Sequence, residues 1–253
     1  MYYYIYDTFV NHKKYEKQLQ RIEQALTDLG ISGKIFKLNV LKSLEGIIEE
    51  AENDNVKNII AVGNDQTVSK LANLTVGKDL VIGIIPLGEQ NIFASAFGIN
   101  SWETAAEILS KRKIEQIDVG KLNGQCFLLS LESPSNEIVF GFDGYNVSPR
   151  KNNMGVGIYN IAHGDNFKSS PKDGVMEAVF MPGKTSGWSS FFGGKDKEEE
   201  SVSVFPIKKV SIKHNKKPIL LSIDKQRNIK TPVEVEVAHK KLKVIVGKER
   251  LFD

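Results

Sequence analysis

The sequence predicts an α/β N-terminal domain (a parallel sheet with flanking helices) over residues 1–115, followed by a β-rich, antiparallel, sandwich-like C-terminal domain over residues 116–253. Three observations carry this. Two solid apolar runs, Asn58-Ile59-Ile60-Ala61-Val62 and Leu80-Val81-Ile82-Gly83-Ile84-Ile85, read as parallel strands buried on both faces. Each run ends in a turn, Gly63-Asn64-Asp65-Gln66-Thr67 and Pro86-Leu87-Gly88-Glu89-Gln90-Asn91, that passes into a helical pattern. That strand-to-helix turn is where α/β sheets place their ligands. From Ile114 onward, short segments alternate apolar and polar residues instead, as in Val233-Glu234-Val235-Glu236-Val237, which suits antiparallel strands wet on one side.

The first strand is the Tyr-rich start, Met1 to Tyr6. Tyr15, Leu19, Ile22, Leu26 and Leu29 then recur at spacings of four and three, an amphipathic helix that Gly30 terminates. A strand is expected over Lys34–Val40, then a helix capped by Ser43 with Leu44, Ile47, Ile48 and Ala51 on its inner face. After the two apolar strands, a helix opens at Asn100-Ser101-Trp102-Glu103, where Asn100 and Glu103 have capping-box spacing and Trp102, Ala105, Ala106, Ile108 and Leu109 form the apolar face. The β-rich part is expected to hold strands near 117–122, 125–131, 138–142, 155–161, 175–181, 202–205, 209–213, 219–223, 233–237 and 241–246. The stretch Pro182–Glu200 interrupts them.

A chain of 253 residues that is 41% hydrophobic has the means to bury a sizeable core. Its 34 basic and 31 acidic residues leave a net charge of +3, too balanced to point to nucleic acid. The single cysteine, Cys126, excludes an internal disulfide framework and reads as a small core residue in a reducing compartment. No apolar stretch reaches the roughly 20 residues needed to span a bilayer. The start lacks the basic and hydrophobic regions of a signal peptide. A soluble, cytoplasmic protein is the expectation.

The two turns resemble the GGDGT and PLGTGND signatures of the diacylglycerol kinase catalytic family, which includes sphingosine kinases and bacterial lipid kinases. The first, third and fifth positions of GGDGT stand here as Gly63, Asp65 and Thr67, while Asn64 and Gln66 replace glycines. The second signature keeps Pro86, Gly88, Asn91, Phe93 and Ala94, but carries Glu89 for threonine, Gln90 for glycine and Ile92 for aspartate. The resemblance implies a nucleotide site holding ATP through Gly63, Asp65, Thr67, Gly88 and Asn91, because glycine lets backbone N–H groups approach phosphate. Read without the resemblance, Gly63 is a strand-ending turn glycine, Thr67 a helix-start residue and Glu89 a solvent-pointing side chain. The family's Asn-Pro and glycine-bearing loop after the first strand has no counterpart in Tyr6-Asp7-Thr8-Phe9-Val10-Asn11.

Two segments of the second half also resemble the family. Ile117-Asp118-Val119-Gly120-Lys121 is similar to a strand entry, and Pro171-Lys172-Asp173-Gly174-Val175-Met176 to a segment that helps hold structural Mg2+ in bacterial lipid kinases. The resemblance therefore offers Asp118 and Asp173 as metal-associated carboxylates, although Asp173-Gly174 is equally a plain turn signal. The family's Asp-Gly-Glu catalytic segment stands as Asp224-Lys225-Gln226, so Asp224 is the surviving acidic group and Gln226 has no basic function. An ordinary hairpin loop is the competing reading.

The implied function is transfer of the ATP γ-phosphate to a lipid hydroxyl of diacylglycerol type, weak or altered, with nucleotide and lipid meeting between two domains. The alternative is a non-catalytic, pseudokinase-like binding or regulatory module on the same scaffold. Trp188, Phe191 and Phe192 lie at i, i+3 and i+4 in Gly187–Gly193. Exposed, they would contact a membrane surface; packed, they would cap the core. The acceptor lipid and the oligomeric state, including a homo-oligomer, are left open.

Overall fold

The computed structural model describes residues 1–39, 43–149, 154–163, 167–182 and 202–253. The first half runs β1 (Tyr2–Tyr6), α1 (Glu16–Asp28), β2 (Lys34–Lys37), α2 (Leu44–Asn53), β3 (Asn58–Gly63), α3 (Asp65–Thr75), β4 (Val81–Pro86), α4 (Ile92–Ala96) and α5 (Trp102–Lys111). Two 3-10 turns, Thr8–Asn11 and Lys13–Tyr15, join β1 to α1. The strands that follow are β5 (Ile114–Leu122), β6 (Gln125–Phe127), β7 (Ser130–Ser133), β8 (Ile138–Phe142), β9 (Tyr145–Val147), β10 (Met154–Tyr159) and β11 (Ala162–His163). They continue with β12 (Lys168–Ser169), β13 (Met176–Pro182), β14 (Ser203–Ile207), β15 (Lys209–His214), β16 (Leu220–Ile223), β17 (Arg227–Lys230) and β18 (Val233–Ile245).

The chain divides into one unit of Met1–Val119 with His239–Asp253 and a second of Gly120–Ala238. The C-terminal segment thus returns to the first unit, which corrects the single boundary expected at 115/116. The chain crosses twice, through β5 and through β18.

In the first unit the strand order is β2-β1-β3-β4-β18, all parallel, with Tyr4 opposite Ile60, Ile60 opposite Gly83 and Val244 opposite Ile82. β3 and β4 are buried at every residue, as strands sandwiched between helices must be. Ser43 caps α2 by accepting the Gly46 amide at 3.2 Å. Asn100 does not cap α5: Ser101 holds that position, and the Asn100 side chain donates to Glu249 at 2.7 Å. Capping-box spacing is met in the sequence, yet a partner from the C-terminal segment takes the side chain.

The second unit has two antiparallel layers. In one, β18, β15, β8 and β9 lie side by side; in the other the order is β14-β13-β10-β7-β16-β17. Their inner faces meet in one core, with Phe140, Ile212 and Val235 from the first layer and Leu131, Ile158, Ala178 and Ile223 from the second. The rings of Phe140 and Phe180 stack at 5.4 Å across it. Residues 125–131, expected as one strand, form two, whereas 233–237 and 241–246 merge into the single β18. Among the described residues no helix is long and apolar enough to cross a membrane.

Candidate functional site

The first unit gathers the two sequence-predicted turns at the C-terminal edges of β3 and β4. Gly63 and Pro86 are register partners, and the Leu87 amide donates to the Gly63 carbonyl at 2.9 Å. The Asp65 amide donates to the Gln90 carbonyl at 3.0 Å, tying one turn to the other. Gly63, Asp65, Thr67, Gly88 and Asn91 therefore share one locality.

What each of these residues touches is specific. Asp65 is buried and points away from solvent, its carboxylate accepting the amides of Ile92 at 2.8 Å and Phe93 at 3.0 Å. Burial raises its pKa, and the Phe93 and Ile92 amides oppose that rise. Thr67 is buried, and its hydroxyl donates to Asp7 Oδ2 at 2.5 Å. Asn64 caps α3, its Oδ1 accepting the Gln66 amide at 3.1 Å. The Asn91 side chain donates to the Gly88 carbonyl at 2.9 Å and so fixes the second turn.

Gln90, at a position the signature fills with glycine, has φ 61°, and Gly88 has φ 78°. The left-handed backbone is thus kept despite the substitution, at a cost of roughly 1 kcal/mol for a residue with a Cβ. Gly88, Glu89 and Gln90 are all exposed. The loop after β1 lacks the family's Asn-Pro and glycine, and its Asp7 and Phe9 reach the two turns. Asp7 Oδ1 accepts the Phe9 amide at 3.3 Å, and a Cβ on Gly88 would stand 2.8 Å from the Phe9 ring. The sequence signal for this was an Asp placed two residues before an amide it could cap.

In the second unit Asp224 sits between β16 and β17 with φ 51° and is 3% exposed. Its carboxylate accepts the Leu128 amide through both oxygens (3.2 and 3.0 Å), Leu129 at 2.7 Å and Ser130 at 3.0 Å. Burial pushes its pKa up to about 6 against the pull of those amides. The neighbouring Arg227 donates to the Cys126 carbonyl at 2.7 Å, holding the same loop from the other side.

The two metal candidates are placed separately. Asp118 is fully buried in the first unit, and its Oδ1 accepts the Lys240 amide at 2.7 Å with His239 Nδ1 at 2.8 Å. That oxygen thus meets two nitrogens of the first unit, the Lys240 amide and the His239 ring. Asp173 is exposed, and its Oδ1 accepts the Val175 amide at 3.0 Å, an Asx turn within its own loop. Among the described residues no three His, Cys, Asp or Glu side chains cluster as metal ligands. Trp188, Phe191 and Phe192 lie outside the described residues.

Comparison with known proteins agrees with this architecture. The model of the diacylglycerol kinase catalytic domain matches residues 2–122. A Staphylococcus haemolyticus protein described as a lipid kinase, SH2167, is 24% identical over 267 residues, covering 83% of each chain. An Enterobacter protein described as a YegS-like lipid kinase is 31% identical over 116 residues, 42% of this chain and 39% of that one. A Bacillus subtilis diacylglycerol kinase is 27% identical over 128 residues and is covered over 42% of its length. Among solved structures, a diacylglycerol kinase from Bacillus anthracis superposes with a TM-score of 0.75 over 98% of this chain and 97% of that one, at 19% identity. That likeness establishes the shared two-domain fold.

Proposed function

We propose, from the match of residues 2–122 to the diacylglycerol kinase catalytic domain, that this chain belongs to that family and is a lipid kinase-like protein that has lost most of its capacity for phosphoryl transfer. One observation carries the reading. Asp224, the surviving acid of the family's catalytic pair, spends both carboxylate oxygens on the amides of Leu128, Leu129 and Ser130. A general base must offer a lone pair within hydrogen-bond reach of the hydroxyl it deprotonates. An oxygen already facing amide donors in a closed loop has no such freedom, and Gln226 is no proton acceptor. Loss of a positioned base costs about 10²–10⁴ in rate.

The ligands of the reading are those of the family: a nucleotide, ATP with Mg2+, and a lipid bearing a free hydroxyl. When bound, the cation would neutralise charge on the β- and γ-phosphates.

A second reading, residual transfer to a lipid hydroxyl, is favoured by the exposed turn at Gly88–Gln90. Gly88 and Gln90 both keep left-handed backbone, as the family's glycine-bearing turn requires. The discriminating measurement is transfer of radiolabelled γ-phosphate from Mg-ATP to diacylglycerol in mixed vesicles, beside an active family enzyme. The proposal expects activity lower by about a thousandfold or more. Turnover within tenfold of the active enzyme, abolished by Asp224→Asn, would overturn it and establish the second reading.

A further inference from the structure

The turn after β1 converges on both signature turns, and it brings a carboxylate and an aromatic ring with it. Asp7 Oδ2 accepts the Thr67 hydroxyl at 2.5 Å, and its Oδ1 accepts the Phe9 amide at 3.3 Å and the Thr8 hydroxyl at 3.0 Å. A Cβ placed on Gly63 would lie 2.6 Å from Thr67 Oγ1 and 3.1 Å from the Asp7 Cβ. Gly63 therefore leaves room for Thr67 and Asp7 to meet. On the second turn, a Cβ on Gly88 would lie 2.8 and 2.9 Å from the Phe9 ring and 3.5 Å from the Tyr15 hydroxyl. Phe9 and Tyr15 pack edge to face at 5.5 Å, so one side of the exposed Gly88 abuts a pair of rings.

The donors at the start of α3 are likewise taken. Asn64 Oδ1 holds the Gln66 amide, and the Asn64 carbonyl holds the Thr67 amide at 3.1 Å. A helix N-terminus attracts an anion through such free N–H groups and its positive end. Here the anion beside Thr67 is the protein's own carboxylate. Glu89, exposed on the second turn, adds a second negative side chain in that locality. Like charges at close range in a partly dry site repel strongly.

We propose that the Asp7 carboxylate and the Phe9 ring are the intrinsic occupants of the anion position beside Thr67 and Gly88, and that Asp7 is the residue that bars polyphosphate from it. Asp7 is thus a specificity-determining residue that sets the ligand charge this site accepts. The inference deepens the loss of phosphoryl transfer proposed above, but it rests on the first unit alone and does not use Asp224.

The test is calorimetric titration of the full chain with sodium tripolyphosphate and, separately, with Mg-ATP. Asp7→Asn removes the charge, keeps one acceptor oxygen for the Phe9 amide and turns its NH2 group, a donor, toward the Thr67 hydroxyl oxygen. It should tighten tripolyphosphate and Mg-ATP binding by about tenfold or more over the wild type. Phe9→Ala opens Gly88 without touching Thr67 and should tighten both in the same direction. It stands as the test should Asp7→Asn fail to give a cooperative melt. Unchanged or weaker binding in the folded variants would overturn the proposal, as would wild-type binding of tripolyphosphate at micromolar concentration. Neither result bears on lipid phosphorylation, which separately decides the proposed function.

Discussion

Asp65 and Phe93 stand 28 residues apart, yet the carboxylate of one accepts the backbone amide of the other at 3.0 Å, with the Ile92 amide 2.8 Å from the second oxygen. The first residue of α3 thus closes the first turn of α4. In the sequence Asp65 looks like a phosphate-site residue; in the fold it is a buried tie between two signature turns. Replacing it with alanine strands two amides in a buried setting. We expect Asp65→Ala to lose about 2–4 kcal/mol of unfolding free energy, because each charge-assisted bond contributes about 1.5–3 kcal/mol. Asp65→Asn should lose less, since one oxygen remains. Urea denaturation reads both, and an alanine variant within 0.5 kcal/mol of wild type, about the range of an ordinary surface change, would show the tie to be idle.

Gly83 lies in the middle of β4, where a Cβ would stand 2.5 Å from Ile60 Cδ1 and 2.5 Å from Leu109 Cδ2. Ile60 belongs to the neighbouring strand β3 and Leu109 to helix α5, and both are fully buried. The missing side chain is what lets α5 approach the sheet. Gly83→Ala should therefore destabilise the chain by about 1–3 kcal/mol through overpacking. Adding Leu109→Ala should recover part of that loss, so that the double variant falls short of the sum of the singles. Strict additivity in thermal or urea melts would rule the contact out.

The elements legible from the sequence are those whose signal is local. β3 and β4 announced themselves as unbroken apolar runs because both of their faces are buried. Ser43 did so because its partner, Gly46, is three residues away. The sequence of β18 suggests two strands because Ala238-His239-Lys240-Lys241 breaks the alternation. The chain absorbs that break with Lys240 at φ 50°, held by Asp118, and continues as one strand. The site was legible as a place and not as a set of contacts. Gly63, Asp65, Thr67, Gly88 and Asn91 do meet, but the partners that define them come from afar. Asp7 reaches Thr67 across 60 positions, and Asp224 reaches Leu129 across 95. Hairpin-like polarity around Asp224-Lys225-Gln226 gives no hint that its carboxylate is buried.

Cys126 is buried in the second unit, and burial pushes its thiol pKa up to about 12, with the nearby Asp224 carboxylate adding to the rise. The thiolate is the reactive form, so the native protein should be inert to a disulfide reagent at pH 8. In urea above the unfolding midpoint the same thiol should react at the rate of an ordinary exposed cysteine. Labelling in native buffer that keeps pace with the unfolded rate would mean that β6 opens far more readily than its burial implies.

Asp224 gives the sharpest dependence on pH. Its carboxyl rises from an ordinary 3.8 to about 6 because desolvation outweighs the amides of Leu128, Leu129 and Ser130. A group whose folded pKa is raised binds its proton more tightly when folded, so its contribution to stability is complete below pH 4. That contribution is lost as pH rises through 6. At 1.36 kcal/mol per pH unit the change between these limits is on the order of 3 kcal/mol. Asp224→Asn keeps the shape and carries no titrating group. The stability of the wild type relative to this variant should therefore fall by about that amount between pH 4 and pH 7. Urea melts at intervals across this range measure it directly. A constant difference, or one that grows toward pH 7, would mean that the three amides outweigh burial and that the ionised carboxylate is the preferred form in the loop.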